Sequence, residues 1–238
     1  ITEPQAGSDA AALRTRAERV DDGWVINGSK IFTSNGINAD FITVVAKVEG
    51  GKGAKSMALF LVDTKTPGFS VGRQIEKFTT HCSDTAELFF EDMRLPLDCR
   101  LGGEDSDFKS AFRMLTVDRI ITAAIALGNG WAAYEAALKY AHEREQFGQA
   151  IFDFQAVQFK LVDMLATYEQ AHLYTYHTAA MADRGEDVTK EAAIAKIVAG
   201  DGCNEICQKA LNIFGGYGLT MEYPVQRYLR DSYFPLIG

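Results

Sequence analysis

The feature of this sequence that most constrains its fold is a change of hydrophobic period near residue 100. Before that point, short runs rich in β-branched and aromatic residues are separated by Gly, Pro and Asp turn signals. After it, apolar residues recur every three or four positions over long stretches, which is typical of helices. The sequence therefore predicts an α+β protein with a β domain over residues 1–100 and a helical domain over residues 101–238.

The predicted strands of the first domain are short and are joined by tight turns. Asp22-Gly23 and Asn27-Gly28 are strong hairpin signals, and Pro67-Gly68 marks a further turn. Because no segment of helical length lies between the strands, we expect an antiparallel sandwich or barrel. The predicted strands are Ala10–Arg19, Trp24–Ile26, Lys30–Ser34, Phe41–Val48, Met57–Asp63 and Ala86–Glu91.

The second domain is predicted to consist of long helices with short connections, an arrangement typical of an antiparallel four-helix-bundle-type domain. A kink in the first helix is expected at Gly128-Asn129-Gly130, and Gly215-Gly216 is expected to end the third helix with a left-handed cap. The predicted helices are Phe108–Arg144, Phe154–Arg184, Val188–Phe214 and a shorter one from Pro224 to Ser232.

Composition excludes several classes of protein. Hydrophobic residues make up 47% of the 238 residues, which indicates a globular chain. The 24 basic and 32 acidic residues leave a net charge of −8, which argues against a nucleic-acid surface. No apolar run approaches a membrane span, and no signal peptide is visible. Cys203 and Cys207 lie one helical turn apart, but a zinc site needs a second ligand pair and none is evident, so no metal is expected. The cysteines are predicted to be small buried thiols: Cys82, Cys99, Cys203 and Cys207.

Several motifs carry a family resemblance. The stretch Ile1–Asp9 combines hydroxyl groups and backbone amides beside a glycine, which suits an anion or a flavin edge and equally suits a plain loop. It resembles the TEP-x-AGSD signature of the acyl-CoA dehydrogenase family. Further resembling stretches follow in the family's order: Asn27–Lys30, Thr33–Gly36, Thr66–Gly68, Cys82–Thr85, Arg144–Gly148, Phe154-Gln155, Phe214–Gly218 and Arg230-Asp231. The resemblance spans the whole chain and implies a fragment with the family's middle β domain and most of its C-terminal bundle.

The resemblance implies that the protein binds FAD. The residues that it places along the flavin are Ile1, Thr2, Gly7, Ser8, Phe32, Thr33 and Ser34. Those that it directs toward the flavin of a neighbouring subunit are Arg144, Phe147, Gln155, Asn212 and Gly216. Phe32 stands where many members have Trp, and its alternative is core packing in a strand. An arginine fork suits a pyrophosphate, although Arg144 also suits a helix-dipole partner. Asn212 stands where the family usually has Gln, which weakens that assignment.

The implied reaction is the α,β-dehydrogenation of an acyl-CoA thioester. A carboxylate removes the α-proton, and the β-hydrogen passes to flavin N5 as a hydride. Many members carry this base as a late Glu whose position falls just after Gly238; a minority carry it in the long helix directly before an Arg. Here Asp118 precedes Arg119, which makes Asp118 the candidate base, shorter than Glu by one methylene. The alternatives are that Asp118 is a solvated helix residue and that the base lies after Gly238.

The resemblance also implies partners. Ser8, Ser83 and Arg119 are expected on the acyl-CoA side, with Arg119 ordering the site. An electron-transfer flavoprotein is the expected electron acceptor, and shared flavin sites imply a homodimer or homotetramer. The location is predicted to be the bacterial cytoplasm, with the mitochondrial matrix as the alternative. Competing functions on the same scaffold are an acyl-CoA oxidase, a nitroalkane oxidase, an enoyl-CoA reductase and a non-catalytic flavin protein.

Overall fold

The computed structural model describes residues 1–49, 56–103 and 109–238, and over 109–113 it describes the backbone alone. The predicted start of the first long helix, Phe108, lies outside the described residues. The chain divides into two compact units. Unit 1 contains Ile1–Lys77 and His81–Met114, and unit 2 contains Phe78–Thr80 and Leu115–Gly238.

Unit 1 is built on a mostly antiparallel sheet, as the sequence predicts. The described strands are β1 (Arg16–Val20), β2 (Gly23–Ser34), β3 (Phe41–Val48), β4 (Met57–Asp63), β5 (Phe69–Gln74) and β6 (Thr85–Pro96). Their order is β4-β3-β1-β2-β6-β5, and the one pair that runs parallel among them is β1 with β3, where Arg16 lies opposite Lys47. The described sheet is open, with β4 and β5 at its ends, so closure into a sandwich or barrel stays a prediction.

Several predicted strand boundaries are confirmed and others are wrong. The predictions for β3 and β4 hold residue for residue. The two predicted strands Trp24–Ile26 and Lys30–Ser34 are halves of the single strand β2. The hairpin turn predicted at Asn27-Gly28 is wrong, because Gly28 lies inside β2 where the register with β6 shifts. Gly28 has φ +149, and a Cβ there would lie 2.6 Å from the Thr15 Cα, so both conformation and space require glycine.

Two further differences concern segments with weak strand character. Ala10–Ala12, predicted as the start of a strand, forms a 3-10 turn, since three alanines have little preference for extended backbone. The edge strand β5 is absent from the predictions because its glycine and polar residues resemble a loop.

The strands β3 and β4 are buried on both faces. Val44, Ala46 and Phe60 belong to the main core of unit 1, which also contains Trp24 and Phe90. The alternate residues of the same strands point the other way and form a smaller core, which consists of Ala6, Leu13, Val45, Met57 and Leu59. The segment that precedes β1 therefore covers the second face of the sheet, and this packing fixes the first residues of the chain.

Unit 2 is helical and contains most of α1 (Lys109–Glu143), together with α2 (Gln155–Asp183), α3 (Thr189–Phe214), α4 (Val225–Asp231) and α5 (Phe234–Ile237). The bounds of α2, α3 and α4 and the end of α1 lie within one residue of the predicted positions, whereas the four-residue α5 is absent from the predictions. Helix α1 runs without interruption through Gly128–Gly130. Gly215 caps α3 with a positive φ of +59, as predicted, but its ψ of −133 lies outside the left-handed helical region that the prediction expected. None of the described helices is long and apolar enough to cross a membrane.

Small residues dominate the contact between α1 and α3. The core of unit 2 includes Ala123, Ala133 and Ala137 of α1 together with Ala199 and Ala210 of α3. A Cβ added at Gly130 would lie 2.7 Å from the Cys203 Sγ, so a side chain at 130 would force the two helices or Cys203 to shift.

The predicted burial of the cysteines holds in part. Cys203 and Cys207 are buried, and burial raises the pKa of each thiol to about 12. Cys99 is half-buried, whereas the prediction is wrong for Cys82, which is exposed.

Candidate functional site

The loop Ile1–Ser8 is held in place by the buried carboxylate of Glu3. This carboxylate accepts hydrogen bonds from the backbone amides of Arg14 and Thr15, at 2.5 and 3.0 Å, and from the Gln5 side-chain amide at 2.6 Å. Lys30 of β2 completes the set with an ion pair of 2.7 Å. The loop is thus tied both to the start of β1 and to β2, while Gly7 and Ser8 stay exposed.

Burial and hydrogen bonding act in opposite directions on Glu3. Burial alone raises the pKa of a carboxyl group, but the hydrogen bonds from Lys30, Thr15 and Arg14 outweigh it and lower the Glu3 pKa to about 2. Burial lowers the pKa of Lys30, while Glu3 opposes that change. Neither Glu3 nor Lys30 is among the predicted site residues. The sequence signal for them is that each is a single charged residue in an otherwise uncharged stretch.

Phe32 is an exposed aromatic residue in an unfavourable backbone conformation. It lies where the pairing of β2 with β6 skips between Lys30 and Thr33, it has φ +57, and 62% of its surface is exposed. A bulky residue in the left-handed region of φ is uncommon and clusters at functional sites. Core packing, the alternative for Phe32, is therefore wrong for the described residues. Thr33 is half-buried and Ser34 exposed beside it.

The two predicted groups of unit 1 are adjacent. The Ile31 amide donates to the Thr2 carbonyl at 2.9 Å, and the Lys30 ammonium donates to the Ile1 carbonyl at 3.0 Å. Ile1 and Thr2 therefore lie directly beside the strand residues that precede Phe32.

Ser83 lies in a turn whose geometry is set by its neighbours. Its carbonyl accepts from the Lys77 ammonium at 2.7 Å, and its hydroxyl donates to the Asp84 carbonyl at 3.3 Å. The Asp84 carboxylate accepts from the Ile37 amide at 2.8 Å and from the Asn38 side chain at 3.0 Å. The hydrogen bond from the Ile37 backbone N–H is the main cause of the lowered pKa of Asp84. Asp84 thus ties the turn of Ser83 to the segment after β2.

Unit 2 contains a cleft of 490 Å³ that joins distant parts of the chain. Arg144, at the end of α1, and Gly216, after α3, both line it, so the structure brings these two predicted residues together. The Arg144 guanidinium lies 5.7 Å from the ring centre of Tyr217, a cation–π contact that holds the side chain at the cleft. Sequence reasoning missed the aromatic lining, which includes Tyr140 and Tyr217.

Phe147 lies at the tip of a tight hairpin next to this cleft. The strands β7 (Glu145–Gln146) and β8 (Gln149–Ala150) are joined by Phe147 and Gly148, with φ +53 and +81, as a type I′ turn requires. Phe147 is 95% exposed and touches Phe154 edge-on, at 6.0 Å between ring centres. An aromatic ring so exposed on a strained backbone suits a partner surface.

Gln155 and Asn212 are both exposed at helix ends. Gln155 begins α2 directly after Phe154. Asn212 lies in the last turn of α3, where its carbonyl accepts from the Gly215 amide. Neither lines the 490 Å³ cleft.

Asp118 lies on an exposed and apolar face of α1. At 100° per residue, Asp118 shares one side of the helix with Val117, Ile121 and Ile125. These three apolar residues are 54%, 52% and 50% exposed, and Asp118 is exposed among them. Arg119 is half-buried. Asp118 and Arg119 are not part of the cleft that contains Arg144.

The chemistry of these residues fits FAD. An aromatic surface and hydroxyl groups suit a flavin ring, and Phe32, Ser34 and Ser8 offer these at exposed positions. A pyrophosphate needs cationic donors, and Arg144 supplies a planar guanidinium at an open cleft. Among the described residues no group of three or more His, Cys, Asp or Glu could hold a metal ion.

Comparison with known proteins gives concordant results. The family model for the acyl-CoA dehydrogenase middle domain matches residues 1–93, and the model for the C-terminal domain matches residues 108–238. The chain is 42% identical over 233 residues to the short-chain specific acyl-CoA dehydrogenase of Megasphaera elsdenii, with 98% of this chain and 61% of that protein covered. It is 39% identical over 231 residues to subunit CarC of the caffeyl-CoA reductase-Etf complex of Acetobacterium woodii, with 97% and 61% covered.

A solved structure shows the same fold. The structure of butyryl-CoA dehydrogenase from Megasphaera elsdenii matches with a TM-score of 0.97 at 41% identity, and the match covers 99% of this chain and 62% of that one. The chain thus spans about three fifths of the length of these relatives.

Proposed function

The chain belongs to the acyl-CoA dehydrogenase family, and from this premise we propose that the full-length protein is an FAD-dependent enzyme that introduces an α,β double bond into an acyl-CoA thioester. The observation that carries the proposal is the pairing of the anchored loop Ile1–Ser8 with the exposed, strained Phe32. Both occur where the family resemblance expects residues along the flavin. FAD, when bound, supplies the acceptor for the β-hydrogen and its electron pair.

The residues of this chain have distinct proposed roles. Phe32 offers a ring face, and Thr33, Ser34 and Ser8 offer hydroxyl groups for the flavin and the acyl-CoA. In unit 2, Arg144 binds the pyrophosphate of a neighbouring subunit's FAD, and Phe147 packs against it, as the family resemblance implies. Gln155, Asn212 and Gly216 are proposed as further contacts of that FAD.

Asp118 is proposed as the base that removes the α-proton. Its carboxylate oxygen takes the proton, and the electron pair of the C–H bond moves into the new double bond. Val117 and Ile121 on either side exclude water from an acyl chain that covers this face, which strengthens a carboxylate as a base. Arg119 is proposed to order the site, and Ser83 to lie on the substrate side.

The proposed electron acceptor is an electron-transfer flavoprotein, and the proposed assembly is a homodimer or homotetramer. The similarity to a protein named as a subunit of a caffeyl-CoA reductase-Etf complex supports the acceptor. The same similarity favours a second candidate function, the reverse reduction of an enoyl-CoA.

The test uses the purified full-length protein. We expect a yellow protein with one FAD per subunit, whose flavin is bleached by saturated acyl-CoA of a suitable chain length under anaerobic conditions. A reduced flavin that enoyl-CoA reoxidises much faster than saturated acyl-CoA reduces it would favour the reductase. Consumption of dioxygen without an added acceptor would indicate an oxidase. A colourless protein that takes up no FAD contradicts the proposal.

A further inference from the structure

A buried ion pair in unit 1 connects the two segments proposed to line the flavin. We propose that Glu3 and Lys30 are positioning residues that hold the loop Ile1–Ser8 at a set distance from Phe32. The inference rests on the FAD binding proposed above and adds to it the device that aligns the two segments.

The contacts of Glu3 prevent it from contacting a ligand directly. Both carboxylate oxygens already accept two hydrogen bonds, one oxygen from Lys30 and Thr15 and the other from Arg14 and Gln5. The side chain of Glu3 is 2% exposed and that of Lys30 is 3% exposed. A carboxylate that is saturated and buried can neither reach a ligand nor exchange a proton readily, so its effect on the site must pass through the loop.

Three consecutive residues of β2 connect the loop to the aromatic ring. Lys30 binds Glu3 and the Ile1 carbonyl, and Ile31 binds the Thr2 carbonyl at 2.9 Å. Phe32 follows at the irregular register with β6 and presents its ring to the exterior. The loop and the ring are therefore attached to the same short piece of strand, and a change at Lys30 moves one relative to the other.

The energetics favour specificity over bulk stability as the role of this pair. Removing two charges from water costs nearly as much as their attraction returns, so a buried ion pair is a poor source of stability. The ion pair does raise the free energy of every arrangement in which one buried charge loses its partner. A loop that must take one position beside a cofactor benefits from that penalty.

The experiment compares Glu3→Gln with the wild-type full-length protein. Glutamine keeps the size of the side chain but loses the charge and one acceptor. We expect the Kd for FAD to rise about tenfold, which corresponds to about 1.4 kcal/mol. At saturating FAD we expect a shifted visible spectrum and midpoint potential of the bound flavin, because the loop no longer holds its position.

The matched control is Glu87→Gln, which removes an exposed ion pair with Arg73 in the same sheet. This control should leave the Kd, the spectrum and the potential unchanged. Gln5→Ala serves as a milder variant, because Gln5 is exposed and its loss removes one hydrogen bond while the ion pair stays. It should raise the Kd about threefold, and it decides the question if Glu3→Gln does not fold.

The outcomes separate the two proposals. A wild-type protein without FAD overturns the proposed function and this inference with it. A wild-type protein that binds FAD, beside Glu3→Gln and Gln5→Ala variants with equal Kd, spectrum and potential, overturns the inference alone, even if their melting temperatures fall.

Discussion

At the scale of single residues, Asp118 is the proposed base of the reaction. It is the acidic residue that precedes Arg119 in α1, and it lies on a helix face whose neighbours are the exposed apolar side chains Val117, Ile121 and Ile125. A carboxylate in such surroundings has few polar partners of its own on that face. Its reactivity therefore depends on what covers the face in the substrate complex.

We predict that Asp118→Asn keeps FAD bound but slows flavin reduction by acyl-CoA about 10²–10⁴-fold, because the amide has no basic lone pair. Stopped-flow absorbance of the flavin band measures this rate. Asp201→Asn, at an exposed acid of α3, is the matched control and should react at the wild-type rate. Wild-type kinetics in Asp118→Asn would place the base elsewhere, and Asp118→Glu would show whether the longer side chain also reaches the α-carbon.

A second prediction at this scale concerns Glu3 and the dependence of the unfolding free energy on pH. Its pKa is lowered from 4.5 to about 2 in the folded chain, so the charged form stabilises the fold above pH 4.5. This contribution is lost as the pH falls from about 4.5 to 2. In urea titrations the gap in unfolding free energy between wild type and Glu3→Gln should therefore shrink over that range. A gap that stays constant with pH would contradict the assignment.

At the scale of elements, the close packing of α1 on α3 depends on one glycine. Gly128 and Gly130 lie two residues apart in α1, yet their surroundings differ. A Cβ on Gly128 meets nothing within 4 Å, whereas a Cβ on Gly130 meets the Cys203 Sγ at 2.7 Å and its Cβ at 2.9 Å.

We predict opposite effects for the two alanine substitutions. Gly128→Ala should stabilise the protein by up to about 1 kcal/mol, since alanine restricts the unfolded chain and favours helix. Gly130→Ala should destabilise it by about 1–3 kcal/mol through overpacking. The midpoint of thermal unfolding measures both, and Cys203→Ala should restore part of the loss in Gly130→Ala. Equal shifts in the two single variants would mean that the helices separate more easily than their contact indicates.

At the scale of the whole molecule, the proposed flavin site combines residues of two subunits. Loop residues and Phe32 of one subunit would contact the same FAD as Arg144 and Phe147 of its neighbour. The two groups occur in separate compact units of this chain. Defects in the two groups should therefore be separable by mixing subunits.

We predict that Phe32→Ala and Arg144→Ala each weaken the retention of FAD, and that mixed oligomers of the two variants regain part of it. In a mixed dimer one site carries both substitutions and the other carries neither. FAD content after co-refolding of the two variants, compared with each variant alone, measures the effect. Mixtures that show only the average of the parents would place all the contacts within one subunit.

The sequence by itself determined the elements whose signals are local. The ends of β3 and β4 agree with the prediction residue for residue, α2 and α3 begin and end within one residue of it, and α1 ends within one residue of it. Hydrophobic period, turn residues and the cap at Gly215 all act over a few neighbouring positions, so they can be read without any partner. The ordered motifs likewise identified the family.

The tertiary structure alone decided the features that depend on distant partners. Asn27-Gly28 has the local character of a hairpin turn, yet pairing with β6 makes it part of a long strand. Glu3 and Lys30 are 27 positions apart and become an ion pair only when the loop folds onto β2. Arg144 and Gly216 meet at one cleft only after α1 and α3 have packed. Such features result from burial and register between remote segments, because free energies of pairing depend on the whole fold and leave no local pattern.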